Sequence, residues 1–167
     1  FTGTNDAGNG VYTAQFTGVL AGTPTTLNAT IGGSSVLTAM PTVTVSPGLA
    51  SSATSVISVS SGSVVSGAGI TVTLTARDAA GNNLTVGGST VTFARTGGTS
   101  TGNFSAVIDN NDGTYSATFT GVLAGTATTI TGTVGGSAVS TTLPTVTVTP
   151  GAISGSNSLI TVSASSV

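Results

Sequence analysis

The sequence predicts an all-β chain built from tandem β-sandwich modules, and three observations carry that prediction. Apolar residues alternate with Thr or Ser in short runs, which is the period of a strand with one buried face. Clusters of Gly, Asn and Ala separate those runs, as tight turns require. One block of sequence recurs at a period of about 103 residues, with roughly 35 identities in about 64 aligned pairs.

The strands can be read in order through one whole copy. Ile57 and Val59 mark the first. Alternation is clearest through Gly69-Ile70-Thr71-Val72-Thr73-Leu74-Thr75-Ala76, which points Ile70, Val72 and Leu74 inward. The same pattern marks Val91 and Phe93, then Tyr115, Ala117 and Phe119, then Ile130 and Val134, and last Val146 and Val148. This predicts about six or seven strands, the number a small sandwich uses. Turns are expected at Ala79-Ala80-Gly81-Asn82-Asn83, Gly97-Gly98, Asn110-Asn111-Asp112-Gly113, Ala124-Gly125 and Gly135-Gly136. No apolar period of 3.6 residues lasts three turns, and threonine on the outward positions is a strand former.

The repeat sets the domain organisation. Phe1 aligns with Phe104 and the match runs without a gap to Val64 and Val167; Phe16–Thr23 recurs unchanged as Phe119–Thr126, and Pro41–Val45 as Pro144–Val148. A unit of about 103 residues is too long for a solenoid repeat and matches a whole immunoglobulin-like domain. Pro47-Gly48 and Pro150-Gly151 suit joints, because proline cannot donate to a ladder and glycine bends freely. The expected organisation is therefore residues 1–48 as the C-terminal half of one immunoglobulin-like repeat, 49–151 as a complete repeat, and 152–167 as the first strand of the next. A half-sandwich by itself would leave Phe16, Leu27, Ile31, Val43 and Val45 uncovered, each forfeiting about 1.5–3 kcal/mol of burial.

Composition excludes several functions. Charged residues make up 4% of the chain, with two Lys+Arg, four Asp+Glu and no His or Cys. Two arginines cannot form a phosphate-neutralising patch, so nucleic acid is not an expected partner. General acid–base or nucleophilic chemistry needs a tuned group and a partner, the chain offers no His, Cys, Lys or Glu, and no enzyme activity is expected of it. No catalytic, cofactor-binding or metal residues are assigned. Apolar runs such as Gly18-Val19-Leu20-Ala21 fall far short of the about 20 residues a membrane span needs.

Each candidate site has a plainer reading as structure. Asp109-Asn110-Asn111-Asp112-Gly113 suggests a calcium loop, but with Gly113 as the sixth position Ile108 stands where an acidic ligand belongs, so a turn is expected. The other copy, Asp6-Ala7-Gly8-Asn9-Gly10, keeps one carboxylate. Arg77-Asp78 precedes a glycine turn and is read as part of it. Tyr12 and Tyr115 are repeat-equivalent and are read as core residues with the hydroxyl near an edge. Asn28-Ala29-Thr30, Asn83-Leu84-Thr85 and Asn103-Phe104-Ser105 fit the glycosylation triplet, which Ser/Thr-rich sequence also produces by chance.

The order Ile70–Asn82, then Ser89-Thr90-Val91-Thr92-Phe93, then Asp112-Gly113-Thr114-Tyr115, then Ala124-Gly125-Thr126 resembles bacterial Ig-like repeats of the invasin and intimin type. The Asp-Gly-Thr-Tyr segment is also similar to filamin-type repeats. The resemblance implies rigid extracellular spacers that hold a binding domain away from the bacterial cell surface. The near-absence of charge departs from that pattern and favours self-association. The expected function is thus a structural segment of an extracellular fibre or adhesin stalk. Its partners would be neighbouring repeats of the same chain and copies of itself packed laterally into a filament or sheath. The alternative is an adhesive module whose sandwich-end loops bind a host receptor or glycan.

Overall fold

Alternation becomes geometry in β9 (Gly69–Thr75), where Ile70, Val72 and Leu74 are buried and the intervening threonines are exposed or half-buried. β9 lies between β7 (Val56–Val59) and β13 (Thr114–Leu123), antiparallel to both. β11 (Thr101–Phe104) and the two-residue β12 (Ile108–Asp109) both pair with β13 and complete the first sheet. Here and below, strands are numbered in chain order, β1 to β6 lying in residues 1–48.

The second sheet runs β10 (Val91–Thr96), β14 (Thr128–Val134), β16 (Thr145–Thr149) and β8 (Ser63–Val65), with β15 (Ser137–Ala138) on β14. Its last pair, β16 with β8, is parallel. The stretch that reads as one opening strand thus changes sheets. Ser60 N–H still donates to Thr71 O in the first sheet at 2.9 Å, and Gly62 O accepts from Thr147 N–H in the second at 3.0 Å. This break supplies β8, a strand additional to those expected.

The two sheets enclose one core of Ile57, Val64, Ile70, Val72, Leu74, Val91, Tyr115, Phe119, Ile130, Val134, Val146 and Val148 with smaller neighbours. Within residues 49–151 all the positions expected to point inward are buried except Val59 and Phe93, which pack half-buried against the cluster. Tyr115 accepts a 2.8 Å hydrogen bond on its hydroxyl from Ser89 N–H. Buried Ser100 accepts from Val148 N–H on Oγ at 2.9 Å, and among the described residues no buried side-chain polar atom lacks a partner. That satisfaction matters in a core lined by hydroxyls, since each unpaired one would cost about 1–3 kcal/mol.

The computed structural model describes residues 1–164. Residues 1–48 carry six two-residue strands: β1 (Asn5–Asp6), β2 (Tyr12–Thr13), β3 (Thr25–Thr26), β4 (Thr30–Ile31), β5 (Ser34–Ser35) and β6 (Thr42–Val43). Their pairings reproduce those of the larger sandwich at repeat-equivalent residues. Asp6↔Tyr12 matches Asp109↔Tyr115, Thr25↔Val43 matches Thr128↔Val146, and Ile31↔Ser34 matches Val134↔Ser137.

What residues 1–48 lack is a facing sheet. Ile31 is exposed, Phe16, Leu27, Val43 and Val45 are half-buried, and an open cleft of about 840 Å³ is lined by Leu27 and Ile31 together with Phe1, Tyr12 and Met40. Tyr12 is 60% exposed where Tyr115 is 1% exposed. The core position expected for Tyr12 is therefore not filled, because these residues include no counterpart of β9 to cover it.

The strand expected over 152–167 is also not formed among the described residues. A three-residue 3-10 turn, Gly155–Asn157, stands there instead, followed by exposed Leu159, Ile160 and Val162. A strand needs a ladder partner for its backbone groups. The equivalent β7 has one in β9, whereas this tail has none within the described residues. Val167, the expected match of Val64, lies outside them.

Candidate functional site

Asp78 closes the turn after β9. Its Oδ1 accepts from Ala80 N–H at 3.0 Å and from Asn82 N–H at 2.9 Å, the Asx-turn arrangement that aspartate favours. Arg77 plays a separate part, donating from Nε to Asn83 Oδ1 at 2.9 Å. So far this is the turn expected from sequence.

The second carboxylate oxygen does something else. Asp78 Oδ2 accepts from Gly48 N–H at 2.9 Å and from Asn82 Nδ2 at 2.9 Å. Asn82, held in this way, reaches back into residues 1–48: Nδ2 donates to Val19 O at 2.7 Å, and Oδ1 accepts from Ala21 N–H at 3.0 Å. Two side chains of one turn therefore grip three backbone groups of the preceding segment, Gly48 N, Val19 O and Ala21 N. Pro47-Gly48, expected to be a flexible joint, is tethered at its glycine.

Six hydrogen bonds run to or through this one carboxylate–amide pair. Asp78 is 6% exposed. The Asn82 amide beside it, followed by the Gly48 N–H, lowers its pKa to about 2, against a smaller opposing effect of desolvation. A carboxylate held below its ordinary value of about 3.9 adds stability above that pH, and loses it as pH falls through the folded-state value. The expected result is that the Gly48 and Ala21 amides stay protected at pH 5 and are released as pH falls through about 2. Amide shifts followed in a pH titration check this, and an Asn82→Ala variant should move the Asp78 midpoint upward.

The other candidates resolve into turn chemistry. Asp109 Oδ2 accepts from Gly88 N–H at 2.7 Å, and Oδ1 from Asn111 N–H at 2.9 Å. Asp112 Oδ1 accepts from the Thr114 hydroxyl at 2.6 Å and from its N–H at 2.9 Å. The Thr114 side chain, first, and its amide hold the Asp112 carboxyl below the usual range. Asp109 thus ties its own turn to the Gly88 loop, Asp112 caps Thr114, and among the described residues no three His, Cys, Asp or Glu side chains cluster as a metal would require. No helix among them is long and apolar enough to cross a membrane.

Sequence reading placed Asp78 in a turn but missed its grip on the preceding segment. The available signal was the excess of acceptors: an Asx turn uses one oxygen, yet Asp78 is followed four residues on by Asn82, a second side chain with capacity to spare. The partners were not visible, because they are backbone atoms about 30 to 60 residues away that carry no mark in the side-chain pattern.

Comparison with known proteins agrees with this architecture. The family model described as invasin, domain 3 matches residues 51–151. Among solved structures, the chain is similar to the Escherichia coli adhesin FdeC, at 30% identity and TM-score 0.58, over 92% of this chain and 48% of that one. It is similar to InvD of Yersinia pseudotuberculosis, at 28% identity and TM-score 0.59, over 95% of this chain and 46% of that one. Invasin, described as a bacterial integrin-binding protein, matches at 28% identity and TM-score 0.54, over 78% of this chain and 25% of that one. The chain thus spans less than half the length of each of these structures. No curated protein matches it.

Proposed function

We propose a role that proceeds from one premise: the chain belongs to the invasin domain 3 family. It is an immunoglobulin-like β-sandwich module of bacterial adhesin type. On that footing we read it as a non-catalytic spacer, a segment of an extracellular adhesin stalk or fibre at the cell surface. Residues 1–48 are the closing half of one module, 49–151 a complete module, and 152–167 the opening of another.

The observation that carries this reading is the grip of Asp78 and Asn82 on Gly48, Val19 and Ala21. A stalk has to keep its distal end at a distance, and hydrogen bonds across a joint on two separate backbone stretches restrict both bending and twisting there. The bond from Gly48 ends on a charged acceptor, the stronger class of hydrogen bond. The near-absence of surface charge removes the repulsion that keeps arrays apart, so lateral packing into a filament belongs to the same reading.

Electron microscopy of the intact protein tests it. Strands of about ten residues at about 3.3 Å each, plus a joint, give beads spaced by about 35–45 Å along a line. Compact particles without such spacing would remove the spacer role.

A further inference from the structure

The groups gripped at the near joint exist again at the far end of the complete module. Val19, Ala21 and Gly48 have as repeat equivalents Val122, Ala124 and Gly151, within the unchanged segment Phe119–Thr126 and the dipeptide Pro150-Gly151. The backbone around them has the same form. Gly22 N–H donates to Val45 O at 3.1 Å in the first segment, and Gly125 N–H donates to Val148 O at 3.1 Å in the second. In both places this bond pins the chain just after Ala21 or Ala124 against the strand that leads to Gly48 or Gly151.

At the far end these groups are accessible. Val122, Leu123 and Gly151 are exposed and Ala124 is half-buried. Among the described residues neither the Ala124 nor the Gly151 amide donates a hydrogen bond. Val122 O accepts from the Ser66 hydroxyl at 2.6 Å, and a carbonyl has a second lone pair to offer. One acceptor and two donors therefore stand at the surface in the arrangement that Asp78 and Asn82 satisfy at the other joint.

We propose that Val122 O, Ala124 N and Gly151 N form a socket for the Asp-x-x-x-Asn turn of a following copy of this module. The occupant follows from chemistry. The socket asks for one ligand atom set that accepts from Gly151 N, and a second that donates to Val122 O while accepting from Ala124 N. A carboxylate and a primary amide meet both demands, and the turn Asp78–Asn82 presents the two at the required separation. An ammonium in place of the asparagine has no acceptor for Ala124 N–H, and a hydroxyl, with a single proton, could not donate both to Val122 O and to the carboxylate as Asn82 Nδ2 does to Val19 O and Asp78 Oδ2. The array would then be polar, each module closing its own entry turn on the exit face of the one before.

This inference rests on the tandem reading of the chain, and the test separates the two. The chain is extended past Val167 by a copy of residues 65–151, which continues the period, and backbone amide exchange is followed by NMR. The expected result is exchange at Ala124 and Gly151 slowed about tenfold or more, the effect of a new hydrogen bond at each amide, charge-assisted at Gly151. Replacing the added counterparts of Asp78 and Asn82 with alanine should abolish the slowing. A second set of buried-tyrosine resonances, like those of Tyr115, reports that the added module has folded. A folded module with unchanged exchange at Ala124 and Gly151 overturns the socket and leaves the tandem reading standing. An added module that does not fold overturns the tandem reading and the socket with it.

Discussion

Replacing Phe119 with alanine lowers the stability of the sandwich by about 3–5 kcal/mol, the cost of deleting a fully buried phenylalanine that cannot be repacked. Phe119 is completely enclosed on β13, where it stands opposite Ile70 on one neighbouring strand and Phe104 on the other. Its ring tilts against Phe104 with centroids 5.1 Å apart, and Phe104 in turn stacks on Phe93 at 6.1 Å. Truncation therefore removes the end member of a three-ring chain that joins the sheets. Gly102 sits against the same ring, and a Cβ there would run into Phe119 and the Thr120 carbonyl, so neither flank can collapse cheaply into the space.

The repeat supplies the control. Phe16 is the equivalent residue in the first segment, half-buried and in ring contact with Phe1 at 5.2 Å. Phe16→Ala should move the denaturation midpoint far less than Phe119→Ala. Equal shifts would mean that enclosure between the two sheets is not what stabilises the complete module.

Gly113→Ala is the second large loss. Gly113 has φ of 86°, a backbone state that costs a side-chain-bearing residue about 1–3 kcal/mol. In addition, a Cβ there would fall on the Leu84 carbonyl oxygen. The turn cannot step aside without consequences, since Gly113 O accepts from Ala76 N–H and Ala76 O accepts from Leu84 N–H, both at 2.9 Å. Displacing Gly113 thus frays the end of β9 beside Asp78. Gly136→Ala isolates the two effects: its φ is 81°, but nothing lies within 4 Å of a Cβ. Chemical denaturation of both variants should show Gly113→Ala clearly the more damaging, and a common loss would assign everything to the left-handed backbone.

Much of this sandwich could be read before any coordinates. Period-two alternation identified the buried faces of β9, β13, β14 and β16, because a strand with one dry face has no other way to arrange Ile, Val and Leu against threonine. The repeat register is equally plain in Asp6↔Tyr12 and Asp109↔Tyr115. The sheet change between Val59 and Ser63 was not legible, since Ser60-Ser61-Gly62 carries no apolar pattern to lose or gain. Nor was the different fate of Tyr12 and Tyr115, which share a local sequence and differ only in what covers them. The tail after Gly151 shows the same limit, for Leu159, Ile160 and Val162 alternate as β7 does yet form no ladder among the described residues. The joint was half legible: a turn at Asp78 follows from composition, while its hold on Val19, Ala21 and Gly48 depends on atoms that every residue possesses.

The parallel pairing of β8 with β16 decides how the complete module responds to tension along the chain. One strand lies near the start of the module and the other near its end, and they point the same way in register at Ser63–Thr147, Val64–Val148 and Val65–Thr149. A pull on the two ends drags these strands past each other lengthwise, so their ladder bonds are loaded in shear together instead of being unzipped one by one. Rupture under load is set by the unfolding rate, and shear geometry makes that step concerted.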